Sequence, residues 1–160
     1  MKREREEIFS GKLLKLQRLK GKYEVIKHPG AVVILPVLPD NKIILIRQFR
    51  PAVNEYILEL PAGLLEPNEE PIESGKRELL EETGYSCRSI KLIQKFFSSP
   101  GYSNEELYLF QAEGLKSEGP PQEKGLEKVI IGEKEIKEGL QKGTKTIIGL
   151  HFFLQEINKC

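Results

Sequence analysis

At 160 residues the chain has the length of one ordinary domain, enough to bury a core without covalent staples. Its 25 basic and 24 acidic side chains leave a net charge of +1, which offers no strong field for nucleic acid or membrane, so neither is an expected partner. Two cysteines, Cys87 and Cys160, make a structural disulfide unexpected and a reducing cytoplasm the expected setting, and the charged opening from Met1 to Glu7 is followed by no signal-peptide h-region.

Alternating and β-branched residues bounded by turn formers predict strands over Ile8 to Lys20, with a break at Gly11, and over Tyr23 to His28, Ala31 to Val37 and Lys42 to Phe49. The stretch from Ala31 to Leu38 is interrupted by Pro36 and is far too short to span a bilayer. Leu38 to Asn41 supplies the turn into the next strand, and Leu58 to Pro61 reads as a further short strand. Pro71 sits where a first helical turn is expected. Ile72 to Thr83 then carries helical periodicity anchored by Leu79 and Leu80, with Gly84 as its stop. Strands follow over Cys87 to Phe97 and Glu105 to Ala112, joined through the turn-rich Ser98 to Ser103. The polar stretch from Glu113 to Gly125 is, with the first few residues, the expected place for disorder. A short strand over Leu126 to Ile131 and helices over Glu133 to Lys142 and Thr144 to Ile157 come next, split at Gly143. Strands interleaved with helices predict an α/β fold, a mixed sheet covered by helices.

The predicted helix from Ile72 carries Arg77-Glu78-Leu79-Leu80-Glu81-Glu82-Thr83-Gly84. Residues at i, i+3 and i+4 share a helix face, so Glu78, Glu81 and Glu82 crowd together and repel. Arg77 can offset one of them through its i+4 relation to Glu81. The remainder calls for a hard cation such as magnesium, which takes oxygen ligands from a few carboxylates and from substrate phosphates. A solvated helix face is the competing reading, since 31% of the chain is charged. Upstream spacing separates the two: Gly63, five residues, Glu69, seven residues, then Arg77-Glu78-Leu79-x-Glu81-Glu82-x-Gly84-Tyr85. This pattern matches the signature of the Nudix hydrolases, and the chain resembles that family.

The resemblance implies a Nudix α/β/α sandwich with a mixed sheet and an N-terminal β-rich extension, divided as strands in 1–28 and a hydrolase domain in 29–160. It implies Glu78, Glu82 and the carbonyl of Ala62 as ligands of magnesium, with manganese as an alternative, and Glu81 close by. Arg77 would orient the cluster through Glu69 or Glu81, or pair with Glu69 simply to fix the loop. Gly63 would serve a positive φ or a close approach, and Gly84 a helix stop.

Arg47-Gln48-Phe49-Arg50-Pro51, Leu58 to Gly63 and Ser99-Pro100-Gly101-Tyr102-Ser103-Asn104-Glu105 resemble the ADP-ribose pyrophosphatase subgroup. A small-molecule nucleotide sugar is therefore the expected partner, cleaved to AMP and ribose 5-phosphate when it is ADP-ribose. Arg50 would offer its fork to a phosphate or ribose oxygen, with Leu64, Ser99, Pro100, Gly101, Tyr102, Ser103 and Glu105 as further substrate contacts. Another nucleotide sugar or nucleoside diphosphate derivative, or a sensor that binds ADP-ribose without hydrolysing it, are the rival readings. One departure stands out: the subgroup's late-loop glutamate, counted back from Leu126, falls on Lys124. Glu123 is the expected base, with Glu127 just beyond and Glu81 next in line; should Lys124 bind phosphate instead, the base is unassigned. The subgroup commonly forms homodimers by exchanging N-terminal strands, for which Leu13, Leu14 and Leu16 are suited. Those strands could equally cap their own sheet.

Overall fold

The computed structural model of the protein describes residues 5–139 and 141–158. The expected disorder of the first residues and the expected free state of Cys160 lie outside the described residues. The chain opens with β1 (Arg5–Ser10), β2 (Lys15–Leu19) and β3 (Tyr23–Lys27), an antiparallel sheet of their own in the order β1-β2-β3. The single run expected over Ile8 to Lys20 is thus two strands, turned where the Gly11 N–H donates to the Leu14 carbonyl at 2.9 Å. Lys20 and Gly21, both at positive φ, make the next hairpin, since paired positive φ values match the twist of the strands they join.

Next come β4 (Ala31–Leu38), β5 (Lys42–Arg50), β6 (Glu55–Glu59), β7 (Ala62–Leu64), α1 (Pro71–Thr83), β8 (Tyr85–Ser86), β9 (Ser89–Phe97), β10 (Glu106–Glu113), β11 (Lys116–Ser117), β12 (Glu127–Ile131), α2 (Glu133–Lys137) and α3 (Thr144–Ile157). The main sheet runs β12-β5-β4-β10-β9, with β6 on β5 and β7 on β4. It is mixed: β4 lies parallel to β10, and the other pairings are antiparallel.

β4 is buried from Ala31 through Pro36, the mark of a strand covered on both faces. Val33, Leu35, Ile43, Leu45 and Leu109 pack with Leu150 and Phe153 of α3, whereas Val32, Ile34, Phe110 and Ala112 pack with Leu79 of α1. Helix, sheet and helix form the α/β/α sandwich that the resemblance implied, around the mixed sheet that the strand and helix pattern predicts. No helix among the described residues is long and apolar enough to cross a membrane.

Three stretches differ from the sequence expectation, two for a long-range reason and one for a local one. The strand expected at Leu58 to Pro61 runs over Glu55–Glu59, because the next two residues are engaged elsewhere. The Leu60 N–H donates to Thr146 Oγ1 at 3.0 Å, and the Pro61 carbonyl accepts from Ile34 N–H at 2.8 Å. The helix expected to reach Lys142 ends at Lys137, with Gly139 at φ 73 beyond it. The stretch from Glu113 to Gly125 is tied down rather than loose: β11 pairs with β8, and the Glu118 N–H donates to the Gly84 carbonyl at 2.8 Å.

Thr146 and Leu60 are fully buried. Thr146→Val leaves the Leu60 N–H without a partner, and an unsatisfied buried donor costs about 1–3 kcal/mol. Urea denaturation is expected to show a loss of stability of about that size; an unchanged midpoint would mean that this bond does not seat α3.

Candidate active site

α1 begins on Pro71, whose missing N–H costs nothing in a first turn, and ends on Gly84 at φ 75, whose N–H donates to the Leu80 carbonyl. Gly84 is required twice, because a Cβ there would also lie 2.1 Å from the Gly119 carbonyl oxygen. The helix lies tightly against β7. A Cβ on Gly63 would fall 1.9 Å from the carboxyl carbon of Glu78, so glycine serves close approach here and not a left-handed backbone. One residue earlier, the Ala62 N–H donates to Glu82 Oε2 at 2.7 Å. The resemblance implied Ala62 as a ligand through its carbonyl; the contact made in this structure is through its N–H.

Arg77 binds the cluster together. It donates to both oxygens of Glu69 at 3.1 and 3.0 Å, to Glu78 at 2.6 Å, to Glu81 at 3.2 Å and to the Leu64 carbonyl at 3.4 Å. Glu69 also accepts from Ser74 Oγ, and Arg77 together with Ser74 holds its carboxyl below the usual range. Glu78 and Glu82 are 8% and 4% exposed and behave in the opposite way. Burial pushes the Glu78 carboxyl up, against the pull of Arg77, and the charges of Glu81 and Glu123 push it further. Burial pushes Glu82 up to about 8; the Ala62 N–H and Lys145 draw it down, Glu78 and Glu123 drive it up.

Glu123 is exposed, on a loop whose Gln122 and Glu123 N–H groups both donate to the Glu81 carbonyl, at 2.8 and 3.2 Å. Its charge acts on both Glu78 and Glu82. Glu127 lies on β12 and pairs with Arg47 at 3.2 Å, and Lys124 is exposed.

Beside the carboxylates lies a cavity of about 570 Å³. Arg50, Ala62, Gly63, Leu64, Ser99 and Glu105 line it, as do Glu59 and Lys145, which were given no role from the sequence. Arg50 Nε donates to Glu59 Oε2 at 2.5 Å, and Lys145 Nζ stands 3.7 Å from Glu59 Oε1. Pro100, Gly101, Tyr102 and Ser103 are not among the lining residues. Their loop is turned to β3: the Tyr102 carbonyl accepts from Ile26 N–H at 2.7 Å, and Asn104 N–H donates to the Ile26 carbonyl at 3.2 Å. Glu59 was readable as one more residue of the stretch before Gly63, whereas nothing in the local pattern marks Lys145.

Two buried carboxylates on one helix face, each disfavoured as an anion by burial, form a donor set that a divalent cation complements. Among the described residues no three acidic, imidazole or thiol groups converge as a closed cage. Magnesium does not need one, since it keeps waters and shares its shell with substrate phosphates through one or two carboxylates. The residues present therefore fit the ion.

A protein-family model described as NUDIX domain matches residues 27–147. An ADP-ribose pyrophosphatase of Bacillus subtilis (strain 168) is 43% identical over 119 residues, covering 69% of this chain and 64% of that protein. A methanol dehydrogenase activator of Bacillus methanolicus is 40% identical over 118 residues, with the same 69% and 64% coverage. The chain thus spans just under two thirds of the length of these relatives. Among solved structures, an ADP compounds hydrolase matches with a TM-score of 0.79 at 22% identity, covering 98% of this chain and 92% of that one. At that identity the likeness shows the fold.

The raised carboxyls make stability depend on pH in a definite direction. In the fold Glu82 keeps its proton up to about 8, whereas the unfolded chain releases it near 4.5, so the unfolded state binds fewer protons between those values. The contribution is present below 4.5 and is lost as pH rises through about 8. Urea denaturation in chelator is expected to show stability falling across this window, with a shallower fall in Glu82→Gln. An equally steep fall in the variant would remove Glu82 from this account.

Proposed function

The chain belongs to the NUDIX domain family, and on that premise we propose that it is a magnesium-dependent hydrolase of ADP-ribose or a related ADP-sugar, yielding AMP and a sugar phosphate. The observation that carries this reading is the docking of the buried carboxylates Glu78 and Glu82 against Gly63 and Ala62, which line one cavity together with Arg50. A pyrophosphate diester needs both: a place for a cation and a fork for its oxygens. The name of the Bacillus subtilis relative supports the choice of substrate.

Glu78 and Glu82 would hold the ion, with manganese able to stand in for magnesium; bound there, it neutralises pyrophosphate charge and stabilises the departing phosphate. Arg77 fixes Glu78 and Glu81 in orientation without reaching substrate. Glu123 takes the proton of the attacking water, being the late-loop carboxylate whose charge reaches both buried glutamates. The water oxygen forms a bond to one phosphorus, the bond from that phosphorus to the bridging oxygen breaks, and the bridging oxygen leaves with the other phosphate. With ADP-ribose the products are AMP and ribose 5-phosphate. Glu81, half-exposed beside the cluster, is the next candidate base. Leu64, Ser99 and Glu105 form cavity wall against the substrate.

The same proposal extends to a homodimer in a reducing cytoplasm. Ile8, Phe9, Leu13 and Leu14 stand 40%, 63%, 47% and 40% exposed on and beside the N-terminal sheet, apolar surface that a second copy would cover. Cys87 is a free thiol, as a reducing compartment would keep it.

Hydrolysis of ADP-ribose, ADP-glucose, GDP-mannose and NADH, followed by AMP or other mononucleotide release in magnesium, tests the reading. ADP-ribose is expected to give the highest kcat/KM, and Glu82→Gln to lower turnover by orders of magnitude with the fold intact. Glu123→Gln is expected to lower kcat by about 100-fold or more, the usual size of a general-base contribution, and Glu127→Gln to change it little. Binding of ADP-ribose with hydrolysis of no member of the panel would identify a sensor and overturn the enzyme reading.

Light scattering is expected to give the mass of two chains, and of one chain in Phe9→Glu. A monomeric wild-type protein would overturn the dimer.

A further inference from the structure

We propose that Lys145 is a pyrophosphate-binding residue of this site, a second cationic anchor beside Arg50 that engages the substrate when it enters the cavity. The proposal deepens the nucleotide-sugar reading and rests on it.

Lys145 sits in the first turn of α3, and Gly143, Thr144 and Lys145 line the cavity together with Gly63, under which the Glu78 carboxylate lies. Its side chain is only 20% exposed. An ammonium carries three donors, and groups withdrawn from water are ordinarily hydrogen-bonded. Among the described residues the Lys145 ammonium makes none of those bonds: its one ion pair, with Glu59, is 3.7 Å long, beyond hydrogen-bond reach. A lysine placed only to neutralise Glu59 would close that gap. Glu59 already commits its other oxygen to Arg50 at 2.5 Å.

One carboxylate therefore stands between two cations, with Glu105 the second carboxylate of the cavity wall. The terminal guanidinium nitrogens of Arg50 also make no hydrogen bond among the described residues, so both cations keep donors to offer. The helix terminus adds to the same field. α3 has 14 residues and no side-chain cap at Gly143, so its first N–H groups and the positive end of its dipole reach the cavity. Burial draws the Lys145 proton affinity down, Glu59 raises it, Arg50 lowers it, and the more distant Glu82 and Glu105 raise it.

The ligand that answers this arrangement is a compact dianion with oxygens on two sides. A pyrophosphate diester fits: its oxygens would meet Arg50 and Lys145 on this side of the cavity, while Glu78 and Glu82 would hold a cation to neutralise the remainder. Lysine suits the place as a point charge on a flexible stem, able to swing from the loose Glu59 pair to an incoming oxygen.

Lys145→Met keeps the stem and removes the charge; Lys145→Gln serves as a second variant, and thermal unfolding checks that each is folded. Two measurements read the proposal: steady-state kinetics on ADP-ribose, and calorimetric titration of inorganic pyrophosphate in magnesium. KM is expected to rise at least about tenfold with a much smaller change in kcat, and pyrophosphate affinity to fall at least about tenfold, the loss of one charge-assisted hydrogen bond. A smaller change in either quantity, or a loss confined to kcat, overturns the assignment. Should the wild-type protein turn over no ADP-ribose, the proposed function falls, and the pyrophosphate titration still decides Lys145.

Discussion

Helix α1 lies closer to strand β7 than any side chain at Gly63 would permit, and the rest of the site follows from that approach. With hydrogen in place of a Cβ, the Glu78 carboxylate occupies the space beside the strand backbone, 1.9 Å from where a methyl carbon would stand. The same docking brings Glu82 within 2.7 Å of the Ala62 N–H. Two glutamates one turn apart are thereby taken out of water together. Burial of like charges is unfavourable unless something compensates them, and the compensation is uneven. Arg77 spreads one positive charge over Glu69, Glu78 and Glu81. Glu82 receives a single backbone N–H, and its carboxyl is driven up to about 8.

That imbalance is local frustration of the kind expected where a fold serves chemistry. The scaffold around it is rigid: β4 is buried on both faces, α1 covers one and α3 the other. A site for a cation can be left unfinished because the elements carrying it do not depend on it for their packing. The N–H of Ala62 and the guanidinium of Arg77 set the directions of the carboxylates in advance, so the cation proposed for this site would meet oxygens already placed.

The opposing half of the cavity is built by α3. Thr146 binds the Leu60 N–H, and Gly149 lets the helix approach Leu60 so closely that a Cβ would stand 2.3 Å from its side chain. This seat delivers Lys145 to Glu59 and Arg50. The loop before β12 is held just as firmly: the Gly84 carbonyl and the Glu81 carbonyl accept its N–H groups, and the contact between Gly84 and Gly119 leaves no room for a side chain. The loop carrying Glu123 is thereby fastened to the C-terminal end of the helix that bears the carboxylates.

Much of this was legible along the chain. Pro71, the Leu79 anchor and Gly84 delimit α1 by rules that act within one or two turns, and the crowding of Glu78, Glu81 and Glu82 follows from helix geometry alone. The strand and helix pattern led to a mixed sheet covered by helices, and the family resemblance to a layer on each face. What stayed hidden depends on partners far away in sequence. β6 stops before Leu60 because Thr146, 86 residues on, takes its N–H. The Glu113 to Gly125 stretch looked loose because its partners are backbone carbonyls, which composition does not reveal. Pro100 to Ser103 lie off the cavity, where the Tyr102 carbonyl and the Asn104 N–H tie their loop to Ile26 of β3. The sequence by itself determined a carboxylate-bearing helix and the family to which its spacing belongs, since helical neighbours are settled by local geometry. It took the tertiary structure to tie the loop of Glu123 to the Glu81 carbonyl, to pair Glu127 with Arg47 and to set Lys145 in the cavity wall, since sheet order and helix docking choose such neighbours.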